Sequence, residues 1–150
     1  MIKKNISDKF YGNGVLINPS NNEKIFNLDY NTIVSLFEKN GFILFRGFNI
    51  KNKEITEITD LYTETYANDA IRRNINMGRK QVRSVDPGNN EMGLHSEASF
   101  SPNWPEIVWF LCCDISSNKN GGNTTFCDGI KLWDNLSYKA KNYFLLNPIK

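Results

Sequence analysis

Apolar residues along this chain gather into short runs separated by turn-forming residues, and the spacing inside each run predicts the element it builds. The opening stretch is polar and rich in Asn and Gly, with turn signals on either side of a short apolar piece at 15–17, which predicts one strand. Ile33, Val34, Leu36 and Phe37 follow helical spacing, with Asn31 placed to cap the start and Gly41 to close the end. The dense apolar run 41–48, bounded by glycines, predicts a core strand buried on both faces. Ile55, Ile58, Leu61, Tyr62 and Tyr66 share one helical face, so a second helix is expected over 53–66 with Asn52 as its cap. Beyond it, 68–90 reads as loop with one strand-like piece at 81–85. Residues 94–100 alternate, 101–105 turn, 107–113 suit a strand, 118–122 form a loop and 124–127 suit another strand. Two helices close the chain, one near 130–135 and one from a Ser137 cap to 146. Short strands between turns, flanked by helices, predict a single α+β domain over 1–150 whose mainly β core is a sandwich or roll.

Composition narrows the function classes. At 150 residues with 40% hydrophobic and 13% aromatic content, the chain can build one real core. Eighteen Lys and Arg against sixteen Asp and Glu are scattered rather than clustered, so no nucleic-acid footprint is indicated. The longest apolar run, 107–113, is far short of the roughly 20 residues a membrane-spanning helix needs, and the first residues lack the apolar stretch of a secretory signal. A cytoplasmic protein without membrane or nucleic-acid partners is expected. Cys112, Cys113 and Cys127 are an odd set in apolar company without metal-ligand spacing, and they read as small buried hydrophobes. The count that matters most is one: His95 is the only histidine.

On a strand, His95, Glu97 and Ser99 would face one way and Leu94, Ala98 and Phe100 the other. An imidazole and a carboxylate two positions apart can converge on one metal ion as a two-point chelate. With a second histidine, that set is the facial triad of nonhaem Fe(II) oxygenases. Taken by itself the pair also suits an exposed polar strand face with a hydrogen-bonded structural histidine.

Longer segments add to this. GLHSEASFSPNWPEIVWFLC at 93–112 and GGNTTFCDG at 121–129, with GFILFRGF upstream at 41–48, resemble the taurine dioxygenase-like (TauD/TfdA) superfamily of Fe(II)- and 2-oxoglutarate-dependent oxygenases. They are most similar to the branch in which His-x-Glu precedes a Ser-Pro-x-x-Pro turn. The resemblance runs over roughly 33–146 and implies a double-stranded β-helix, a jelly-roll-like fold present here only in part. It implies His95 and Glu97 as the first two iron ligands. Thr124, after Gly121-Gly122, is implied as the hydroxyl that contacts the distal carboxylate of 2-oxoglutarate, with Asn123 standing where an acidic residue is usual. The cofactors implied are Fe(II) and the co-substrate 2-oxoglutarate. The activity implied is hydroxylation of a small amino-acid-like or carrier-tethered substrate, and a carboxylate at 97 argues against halogenation.

The family also needs a second metal histidine and a later arginine for 2-oxoglutarate, and this sequence supplies neither. The expectations are therefore a truncated oxygenase, a split enzyme completed by a second polypeptide or a second copy, or a non-catalytic remnant. Unpaired strand edges and an uncovered apolar face would favour self-association. Trp104, Trp109, Phe110 and Trp133 are assigned to packing. Arg72, Arg73, Arg79 and Arg83 are assigned to a solvated loop, and Arg46 to a carboxylate partner inside the fold.

Overall fold

The computed structural model describes residues 2–5, 14–67, 82–85, 90–102, 104–113 and 124–148. Three strands, β1 (Ile2–Asn5), β2 (Val15–Asn18) and β3 (Ile43–Phe45), form one sheet in that order. β1 pairs antiparallel with β2, and β2 pairs parallel with β3 in the register Val15↔Ile43 to Ile17↔Phe45. Parallel neighbours need a crossover, which helix α1 (Tyr30–Asn40) provides, preceded by a 3-10 turn at Ile25–Asn27.

The start of α1 lies at Asp29 rather than at Asn31, because the Asp29 carboxylate accepts the Thr32 N–H at 2.8 Å and satisfies one of the orphan donors there. Hydrogen bonds from Thr32 hold the Asp29 carboxyl below its ordinary value. Gly41 closes the helix as expected: at φ +68° it donates its N–H to the Phe37 carbonyl at 2.7 Å, a conformation glycine adopts without strain. Asn40 adds a side-chain bond back to the Leu36 carbonyl at 2.7 Å.

The core lies between the sheet and the helices. Ile17 (0% exposed) and Ile58 (2%) are its centre, with Ile25, Leu28 and Ile33 buried around them. Leu36, Ile43, Phe45, Phe48, Ile50, Tyr62 and Trp109 pack against this cluster. Each such isoleucine contributes about 1.5–3 kcal/mol through removal of its side chain from water. Tyr62 stacks between Tyr30 and Trp109 at ring separations of 5.3 and 5.5 Å, and its burial, with Tyr30 and Asp29 nearby, pushes its phenol upward.

Several expectations need correction. The run 41–48 is strand only over Ile43–Phe45, and those residues are half-buried rather than covered on both faces. The chain leaves the sheet at Gly47 (φ +86°), where a Cβ would meet the Pro19 ring at 3.4 Å, and Arg46 is exposed. The helix expected over 53–66 is a 3-10 turn, Asn52–Glu54, followed by a short α2 (Ile55–Asp60). Its cap position is Lys51, whose N–H donates to the Glu54 carboxylate at 2.7 Å, rather than Asn52. It stops at Asp60 because Tyr66 folds back: its hydroxyl donates to Asp60 Oδ1 at 2.5 Å and lies 2.9 Å from Thr59 Oγ1.

The strands expected at 94–100, 107–113 and 124–127 form no ladder among the described residues, so those residues do not make a sandwich, roll or double-stranded β-helix. A strand is stable only with hydrogen-bonded neighbours, and these segments have none there. Over 107–112 the alternation survives without a ladder: Ile107, Trp109 and Leu111 are half-buried while Val108, Phe110 and Cys112 are exposed. With one face only partly covered, Cys112, Cys113 and Cys127 are exposed rather than buried. Trp104, Phe110 and Trp133 are likewise exposed, and of the four aromatics assigned to packing only Trp109 joins the core. Phe126 ties the later segments to the sheet, with its ring 4.6 Å from Phe42 and 5.7 Å from Phe110. Helices α3 (Gly129–Asn135) and α4 (Tyr138–Leu146) fall where the sequence places them. Asp128 caps the first by accepting the Lys131 N–H at 3.0 Å, and Ser137 caps the second by accepting the Ala140 N–H at 3.2 Å. Among the described residues, no helix is long and apolar enough to cross a membrane.

Candidate metal site

The predicted ligands lie on the segment that follows residue 90. Residues 91–96 run without regular structure, and 97–100 form a turn closed by a hydrogen bond from the Ser101 N–H to the Ala98 carbonyl at 2.9 Å. The expected alternation of a strand is therefore not what brings His95 and Glu97 together. His95 Nε2 lies 3.8 Å from Glu97 Oε2, just ahead of that turn.

The orientation of the imidazole follows from its other nitrogen. His95 Nδ1 lies 2.8 Å from the Gly93 carbonyl oxygen, which can only accept, so Nδ1 carries the proton in this contact. In the neutral ring that leaves the lone pair on Nε2, the nitrogen that faces Glu97. A carbonyl behind a ligating imidazole is the usual way its tautomer and ring plane are set. A lone pair and a carboxylate facing each other across 3.8 Å repel, and a proton or a cation between them removes the repulsion.

Two donors each about 2.1 Å from a common ion and at right angles to it lie about 3 Å apart, so a small side-chain rotation brings this pair into place. The side chains are 48% and 33% exposed, which leaves the pair open to further ligands. Among the described residues, no set of three His, Cys, Asp or Glu side chains comes together to hold a metal ion.

Thr124 is exposed on the segment 124–128 that leads into α3, and among the described residues no hydrogen bond joins it to His95 or Glu97. Gly121, Gly122, Asn123, Arg72, Arg73 and Arg79 lie outside the described residues, while Arg83 is half-buried. Sequence reasoning missed one contributor to the pair, the Gly93 carbonyl. It has no side-chain signature, since it acts through a main-chain oxygen.

No curated protein and no solved structure matches this chain. The family model described as Taurine catabolism dioxygenase TauD, TfdA family matches residues 15–147. The match begins with β2, takes in both His95 and Glu97, and ends just past α4, so the chain belongs to the TauD/TfdA dioxygenase family.

Proposed function

We propose that this chain is part of an Fe(II)- and 2-oxoglutarate-dependent hydroxylase acting on a small amino-acid-like or carrier-tethered substrate. Dependence on Fe(II) and 2-oxoglutarate is the general property of its family. The observation that carries the reading to these residues is the approach of His95 Nε2 to Glu97 Oε2, with the opposite nitrogen occupied by the Gly93 carbonyl. An imidazole and a carboxylate are the mixed donor set that suits ferrous iron.

In this reading His95 supplies a neutral electron pair and Glu97 a negative charge to the same ion. The Gly93 carbonyl holds the imidazole proton on Nδ1 and so keeps Nε2 available. The Thr124 hydroxyl donates a hydrogen bond to the distal carboxylate of 2-oxoglutarate. Bound iron supplies activation of oxygen, coupled to oxidative decarboxylation of the 2-oxoglutarate to succinate and carbon dioxide. The chain contains one histidine, so the second imidazole of a complete site comes from polypeptide outside these 150 residues.

A second reading, a non-catalytic remnant or the subunit of a split oxygenase, is favoured by that same single histidine. Anaerobic addition of Fe(II) and 2-oxoglutarate separates the two. A weak visible charge-transfer band followed by succinate release in air is expected of the hydroxylase. Absence of both leaves the remnant.

A further inference from the structure

Along 107–112 half-buried and exposed residues alternate strictly, and the next position breaks the pattern: Cys113 is exposed, as Cys112 is. On a paired strand adjacent side chains project to opposite faces, so one of two neighbouring thiols would turn into the fold. Here both reach solvent, on a segment with no ladder partner among the described residues. Cys113 Sγ lies 3.8 Å from the Leu111 carbonyl oxygen, a weak donation to its own backbone that leaves the side chain on the outside.

A single peptide unit joins the two cysteines, so their sulfurs stay near one another at an effective concentration that separate thiols do not reach. Joining them through one further atom needs rotation about the bonds beside that peptide, and no ladder among the described residues has to break for it. A disulfide would draw the sulfurs to about 2.05 Å and strain so short a ring, whereas a large soft atom bonded to both tolerates a wider separation. Among the described residues, no three His, Cys, Asp or Glu side chains come together at one point, so the pair suits a centre with two positions to fill. We propose that Cys112 and Cys113 form a capture site for a soft, thiophilic centre with two exchangeable positions, the chemistry of a monosubstituted trivalent arsenical. The site uses neither His95 nor Glu97 and stands independently of the iron reading.

In the capture step the arsenic keeps its oxidation state. Two arsenic–sulfur bonds form, and the two thiol protons leave with the arsenic-bound oxygen as water. Release reverses this by exchange with another dithiol.

Phenylarsine oxide, added to the phosphine-reduced full chain and followed by intact-mass spectrometry, provides the test. One phenylarsenic unit per chain is expected, retained against excess glutathione and removed by ethane-1,2-dithiol. Cys112→Ser and Cys113→Ser each turn a two-point attachment into a one-point attachment, and should need about a hundredfold more reagent for half-occupancy in the same glutathione. Cys127→Ser should behave as the natural chain. Because both thiols already face solvent, native and urea-unfolded chains should be labelled at comparable rates.

Labelling that requires urea overturns the inference, and this comparison decides the matter even if a serine variant does not fold. Stripping of the natural chain by glutathione overturns it too, as does undiminished capture by either Cys112→Ser or Cys113→Ser. Loss of capture in Cys127→Ser would move the site off the adjacent pair and overturn it equally.

Discussion

Residues 14–67 and residues 90–148 are built from the same kinds of apolar run, and they differ in whether each run meets a covering surface. In the first region β2 and β3 pair across a crossover helix, and Ile17, Ile33 and Ile58 close over one another. In the second, Ile130 is 79% exposed and Phe100 86%, and α3 and α4 contain no buried residue. Among the described residues, helices nonetheless form in both regions and strands only in the first. A helix satisfies its backbone hydrogen bonds within its own few turns, and caps such as Asp128 and Ser137 complete its end. A strand satisfies nothing without a neighbour, and the segments 94–100, 107–113 and 124–127 have no ladder partner among the described residues. Local chemistry thus sufficed for α3 and α4, while the predicted strands beside them formed no ladder among the described residues.

The sharpest challenge to this contrast is a pair of core truncations. Ile17→Ala and Ile58→Ala should each cost about 2–5 kcal/mol in urea unfolding, while Ile130→Ala should stay within about 0.5 kcal/mol. Equal costs would mean that the later region has a core of its own. Removing a ligand should show the opposite profile. His95→Ala is expected to abolish the Fe(II)–2-oxoglutarate band while moving the unfolding free energy by less than about 0.5 kcal/mol, since the ring lies half-exposed on a segment away from the buried cluster. A large loss of stability would make His95 a structural residue.

The exposed apolar side chains of the later region predict self-association. Sedimentation should show an average mass that rises with concentration, and Leu145→Lys with Leu146→Lys should suppress that rise without lowering the unfolding midpoint. An unchanged mass profile in the double variant would place the contact elsewhere. Caps offer a finer comparison. Asp29→Ala should lower the global urea midpoint because α1 packs on the core, whereas Ser137→Ala should lower the helical signal of α4 more than it lowers the global midpoint.

The smallest effect expected is in acid. Hydrogen bonds from Thr32 hold the Asp29 carboxyl below its unfolded value, so its contribution is present above that value and is lost as pH falls through the lower folded one, in the range below about pH 4. Asp29→Asn keeps the cap without the titration and should flatten the stability profile in that range. A profile identical to that of the natural chain would deny Asp29 any part in acid sensitivity.

How much of the molecule was legible depended on the range of the interactions involved. Gly41 as a closing residue, Ser137 as a cap and the helical runs after Asn31 and Ile130 were readable, because each depends on residues within one turn. The choice of Asp29 over Asn31 was not, since both are competent caps and only the extended backbone at 29 decides between them. The burial of the cysteines was misread because apolar neighbours in sequence imply a covering layer only if some other part of the chain supplies it. His95 Nε2 and Glu97 Oε2 lie 3.8 Å apart, although no strand ladder forms over 94–100 among the described residues.

Residue order alone was enough to single out His95 and Glu97 as candidate donors, to place the helices of the later region, and to show a single histidine. Those are properties of composition and short spacing, and no distant contact can alter them. Which apolar runs became core and which nitrogen of His95 faced Glu97 depended on chain segments meeting in space. Burial and hydrogen-bond geometry arise from such meetings, and they take their values only once the chain has folded.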